Sequence, residues 1–114
     1  MSLSFSSSVS GVRVASDMLA VSAHNTANLN TDGFKKQRVD LREDPHGGVI
    51  ADVSESTEAG QLYRNADGDM AEASNVDYAE EAIVQINAKH FLSANIAAIK
   101  RIDEAQESLM DIMA

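Results

Sequence analysis

Cysteine and tryptophan are missing from this 114-residue chain, proline occurs once, and aromatic side chains make up only 4% of it. Without cysteine there are neither disulfide staples nor thiolate metal sites. No apolar run approaches the roughly 20 residues of a membrane span, and the amino terminus has neither the basic nor the apolar region of a cleavable signal peptide. Composition alone therefore suggests a soluble, cytoplasmic protein. The hydrophobic content is 44%, but much of it is alanine. One thin core is expected in one domain spanning residues 1–114, with partner surfaces completing it.

A net charge of −9 disfavours sequence-independent binding to nucleic acid or an anionic membrane, because phosphate contacts need clustered cations. Four basic residues do cluster, at Lys35, Lys36, Arg38 and Arg42. They suit either an acidic partner surface or a solvated loop balanced by nearby acids. Only Phe34 stands near them for stacking, which makes a nucleic-acid site a poor fit.

Helical periodicity dominates both ends. Val12, Ala15, Leu19, Ser22, Thr26 and Leu29 share one face of a helix expected over residues 5–30, extended backwards by Phe5 and Val9. A second row at Val14, Met18 and Val21 gives that helix another face to cover. The succession Asn28 to Gly33 should end it, with Gly33 taking positive φ. Residues 31–73 form a connector. Within it, Val49 to Val53 reads as a strand that returns through Gln61, Leu62 and Tyr63, giving one small hairpin. A second helix is expected over 74–113, capped by Ser74 or Asn75 with Asp77, Glu80 and Glu81 in the opening turns. Its stripe runs Val76, Ala79, Ile83, Ile86, His90, then shifts phase to Phe91, Ala94, Ala98, Ile102, Ala105, Leu109 and Ile112. The fold class is mainly α: two long terminal helices folded into an antiparallel, coiled-coil-like pair, joined by a small β-hairpin region. Leu19, Ile83, Ile86, Ile102 and Leu109 should carry the helix packing. A lone pair cannot cover all these stripes, so copies of the chain or other proteins are needed.

Two segments carry a resemblance. Ala23, Asn25, Ala27, Asn28, Asn30, Thr31, Gly33, Phe34 and Lys35 resemble the amino-terminal signature of bacterial flagellar basal-body rod and hook proteins. Ser74, Asn75, Val76, Asp77, Glu80, Glu81, Ala88, Ala94 and Asn95 resemble that family's carboxy-terminal signature. In length and layout the chain is most similar to a short proximal-rod subunit. The resemblance implies terminal helices forming the core layer of a tube, with the middle segment facing outwards. It also implies export without a cleaved signal peptide through the flagellar export apparatus, residence in the periplasm-spanning rod, and partners that are copies of the chain and other axial proteins. Its assembly residues would be Asn25, Ala27, Asn28, Thr31, Gly33 and Phe34 at one joint and Asn75, Val76, Asp77, Glu80 and Glu81 at a second. His24, Thr26, Asp32, Lys89, His90 and Leu92 depart from the family pattern. Of these, His24, Thr26 and Asp32, with the acidic surface, would suit a small soluble helical adaptor derived from the rod family, the alternative reading.

Nothing in the residues calls for catalysis, a cofactor, a metal or a small-molecule substrate. Glu80 and Glu81 are adjacent and point about 100° apart on a helix, poor geometry for paired carboxylates. Asp67, Asp69 and Glu72 lack the spacing of a calcium loop, and His24, His46 and His90 form no metal-binding pair.

Overall fold

In a computed structural model describing residues 2–114, two long helices are joined by a strand region of two hairpins. Helix α1 spans Ser2–Ala27 and α2 spans Tyr78–Met113. Between them lie β1 (Gln37–Glu43), β2 (Val49–Glu55), β3 (Leu62–Arg64) and β4 (Met70–Glu72). Strands β1 and β2 pair antiparallel with Gln37 opposite Glu55 and Glu43 opposite Val49. Strands β3 and β4 pair with Leu62 opposite Glu72.

The expected hairpin thus had the wrong partners. Val49–Glu55 pairs with the preceding segment, and Leu62–Arg64 pairs with the following one. The charged run Gln-Arg-Val-Asp-Leu-Arg-Glu is itself a strand. Its alternation is a strand signal masked by charge, and Gly47 and Gly48, at φ 96° and 92°, supply the tight return. The second hairpin turns at Gly68, where Asn65 Oδ1 accepts from the backbone N–H of Asp67 and Asp69, each at 3.0 Å.

Helix α1 stops at Ala27 because Asn28 Nδ2 donates back to the His24 carbonyl and Thr31 Oγ1 donates to Asn28 Oδ1. Helix α2 starts later than expected. Its cap is Asp77, in extended conformation with its carboxylate accepting from Ala79 N–H at 2.9 Å, rather than Ser74 or Asn75. Ser74 instead accepts from Val76 N–H, and Asn75 is engaged elsewhere.

The helices run past each other in opposite directions, with Ser22 meeting Glu81 and Gln85 while Gly11 lies against Asn95. A Cβ on Gly11 would stand 2.3 Å from Asn95 Oδ1, so the approach is close there. The buried contacts are small: Gly11, Ala15 and Ser22 on α1, Ala88 on α2, with Val14 and Val76 the larger members of the core. On α2 the inward row is Glu81, Gln85, Ala88, Leu92, Asn95, Ile99 and Ile102, an unbroken 4-3 spacing in which every member is buried or half-buried. This corrects the expected stripe and its phase shift. Polar side chains hold three of those inward positions, so apolar content pointed to the opposite face. Ile83 and Ile86 are 58% and 56% exposed and Leu109 is 50% exposed, so this chain does not pack them internally. Leu19 and Ile102 are half-buried.

The second row of α1 is covered in part by the chain's own first hairpin: Val14 is buried, and Met18 and Val21 are half-buried. Ser10 Oγ accepts from Val49 N–H at the outer edge of β2, and Asn25 holds Gln37 at the outer edge of β1. Helix α1 therefore crosses the hairpin diagonally, with Val14 buried beneath it. Counted from Gly11 and Asn95 at equal rise, the last turns of α2 project past the start of α1, and residues 103–114 are all exposed. Among the described residues no helix is long and apolar enough to cross a membrane.

Candidate functional site: a joint between the two helix ends

The two signature segments meet. Asn25 on α1 is 1% exposed, and its side-chain amide pairs with the backbone of Gln37 as a strand neighbour would: Nδ2 donates to the Gln37 carbonyl at 2.8 Å, and Gln37 N–H donates to Oδ1 at 2.9 Å. Nδ2 also donates to Glu81 Oε1 at 3.1 Å. Glu81, 6% exposed on α2, accepts through its other oxygen from Ser22 Oγ at 2.6 Å. Gln85 Nε2 donates to Ser22 Oγ and Thr26 Oγ1 at 3.1 and 3.3 Å. No buried side-chain polar atom among the described residues lacks a partner, so the network carries no uncompensated desolvation.

Asn75 makes the matching clamp from the other signature. Its Oδ1 accepts from Lys36 N–H at 2.6 Å, its Nδ2 donates to the Glu58 carbonyl at 3.0 Å, and its own N–H donates to the Phe34 carbonyl at 3.3 Å. Gly33, at φ 72°, donates to the Glu72 carbonyl at 2.8 Å. Phe34 sets its ring edge-on to His24 with centroids 5.4 Å apart. Val76 is 8% exposed beside the clamp, Asp77 caps α2, and Ala27 lies exposed at the end of α1. The expected two joints are one: Asn25 and Asn75 grip adjacent residues, Gln37 and Lys36, at the entrance to β1.

Every member of the basic cluster has an acidic partner in the chain: Lys35 and Lys36 are half-buried, and Arg38 and Arg42 stay exposed. Lys35 pairs with Glu72, Lys36 with Glu80 at 3.0 Å, Arg38 with Asp40 at 3.4 Å and Arg42 with Asp52. Glu80 and Glu81 separate as their 100° offset requires, one toward Lys36 in solvent and one into the joint. The Lys36 ammonium is held above its ordinary pKa, first by its hydrogen bond to Glu80, which with the charges of Glu80, Glu58 and Glu81 outweighs burial. Glu72 lies below the usual carboxylate value, first because Lys35 donates to it and next because Gly60 N–H does. Tyr63 is raised by its hydrogen bond to Asp32.

Sequence reasoning missed Gln37, Gln85, Glu58 and the pairing role of Glu72. Backbone clamping leaves no pattern in side-chain chemistry at the clamped residue; Ser22 stood as a polar residue on the expected stripe of α1, whereas Glu81 lay off the expected stripe of α2, which ran through Ala79, Ile83 and Ile86. Beside the joint a groove of about 510 Å³ opens between Met18 and Val21 of α1, Val39 of β1, and Ile83 and Val84 of α2. Among the described residues no three His, Asp or Glu side chains converge to hold a metal ion. The arrangement locks backbone in place. No protein-family model matches the chain, and no curated protein is matched by its sequence.

Proposed function

We propose that the chain is a structural subunit of the bacterial flagellar basal-body rod, joining copies of itself and other axial proteins by packing the outward faces of its helices in coiled-coil fashion. The observation that carries this reading is the apolar surface left on α2: Ile83 and Ile86 along its outer face, and Leu109, Met110, Ile112 and Met113, 50–84% exposed, at its projecting end. The sequence resemblance at Asn25–Phe34 and Asn75–Glu81 supplies the particular assembly, and the single joint gives those residues a physical task. They fix the angle at which both helices leave the hairpin region, which a tube of repeated subunits needs to be constant. Export through the flagellar apparatus and residence in the periplasm-spanning rod belong to the same proposal, as does the absence of a catalytic role.

Leu109→Asp tests it. The substitution touches no internal packing, so expression and the circular dichroism spectrum should be unchanged while swimming and rod assembly are lost; normal swimming contradicts the proposal.

A soluble helical adaptor is the second reading. It is favoured by the polar joint being satisfied within a single chain, as a protein folding alone requires. Cell fractionation separates the two, since an adaptor stays in the cytosol.

A further inference from the structure

Among the described residues, the outer edge of β1 is unpaired over most of its length, and its chemistry selects one partner. Ser56 N–H donates to the Lys36 carbonyl and Asp44 N–H to the Gly48 carbonyl, so the even-numbered residues of this strand bond to β2. The odd-numbered ones turn their N–H and C=O groups the other way. Asn25 takes both groups of Gln37. Beyond it Val39, Leu41 and Glu43 continue the edge, and among the described residues the sheet holds only two strands. The diagonal course of α1, from Ser10 at β2 to Asn25 at β1, takes the helix away from this stretch.

We infer that this edge pairs with the same edge of a second copy, antiparallel about a two-fold axis through Leu41. In that register Val39 exchanges backbone bonds with Glu43 of the second copy, Leu41 with its counterpart, and Glu43 with Val39. Pairing ends where local chemistry ends it, because Gln37, already held by Asn25, falls opposite Pro45, which has no N–H. Charge selects the same alignment. Arg42 faces Asp40 of the second copy, and Arg38 faces Asp44, each twice by symmetry. Centring on Asp40 instead opposes Asp40 to itself and Arg38 to Arg42, and requires the Gln37 groups that Asn25 occupies. Centring on Arg42 opposes Arg42 to itself and Asp40 to Asp44, and puts Pro45 where Val39 needs a donor. The neighbouring groove, floored by Met18, Val21 and Ile83, lies along the Gln37 end of the edge and receives the incoming Pro45 turn. Leu41, 45% exposed, gains cover at the centre of the four-stranded sheet that results. This contact is made by the β1 edge and does not rest on the rod reading; Ile83, at the groove, is the one residue it shares with the outer face of α2.

Sedimentation equilibrium of the whole chain, with charge reversals, tests it. The wild type should form a reversible dimer at roughly 0.1–1 mM, as a small, partly polar interface allows. Asp40→Arg or Arg42→Asp alone sets like charges against each other twice and should weaken the dimer at least about tenfold. The double exchange D40R/R42D restores opposition and should recover it. In this cysteine-free chain, Leu41→Cys should cross-link on mild oxidation while Val53→Cys, on the far strand, should not. A strictly monomeric protein, a dimer indifferent to the single reversals, or a double exchange no better than either single change overturns the inference. Circular dichroism of each variant confirms that the fold is intact.

Discussion

Replacing Asn25 by alanine removes two bonds to the Gln37 backbone and one to the Glu81 carboxylate from a site that is 1% exposed. Each buried partner left behind carries its own desolvation cost, so the loss should be about 3 kcal/mol, read from urea unfolding. Asn25→Asp should be nearly as harmful, because it removes the donor to Gln37 and sets a second carboxylate beside Glu81. The ion pairs around the joint give a pH signature with a defined sign. Glu72 has a depressed pKa, so its contribution is present above its ordinary value of 4.5 and is lost as pH falls below it. Tyr63 and Lys36 have raised values, so theirs are present below 10.0 and 10.5 and are lost as pH rises through the folded values. Thermal stability should therefore be flat between these limits with respect to these groups and fall on both sides. A Lys35→Met variant should lose part of the acid-side fall, and an unchanged acid limb would contradict the assignment to Glu72. At this scale the sequence marked Gly33 as a turn and set Asn25, Asn75 and Glu81 in the two signatures, but it gave Asn75 the cap that Asp77 makes and Glu81 a place in the opening turn rather than in the joint. Their partners were not legible, since a clamped backbone has no residue type.

Helix α2 separates an inward row from an outward one in a way hydrophobicity alone misreads. Glu81, Gln85 and Asn95 hold inward positions while Ile83 and Ile86 face solvent. Two substitutions on this one helix should therefore behave oppositely. The double change Ile83→Ser with Ile86→Ser should leave monomer stability within about 0.5 kcal/mol of wild type. Ala88→Leu, at a position 0% exposed and facing α1, should destabilise by about 1–3 kcal/mol through overpacking. Thermal unfolding at low concentration distinguishes them, and a large loss in the outer-face variant would show that those isoleucines are packed internally. The helices themselves were readable from their long periodic segments and from the break after Asn28. The strands were less so, because β1 alternates Arg and Asp with Val and Leu and looked like a solvated connector. That also reversed the pairing, since Val49–Glu55 was joined forward to Leu62 instead of back to β1.

Taken as one body, the chain is long and thin, 78 × 25 × 15 Å with a radius of gyration of 20.0 Å, where a compact chain of this length would have about 13 Å. Its accessible surface is 7890 Å², against about 6,100 Å² for a typical folded monomer of this mass. The excess, about 1,800 Å², is of the order of two standard one-sided interfaces. Expectation and structure differ here in one respect: α1 is covered by α2 on one side and by the chain's own hairpin on part of another, which leaves α2 and its projecting end with most of the uncovered apolar surface. The central claim is that this surface exists to be joined in an axial assembly. Quantitative mass spectrometry of basal bodies purified from cells that make the protein tests that most directly. The account predicts the chain in the basal-body fraction at a fixed ratio to other rod subunits, and its disappearance from that fraction in Leu109→Asp cells; a chain confined to the cytosol and absent from purified basal bodies would contradict it.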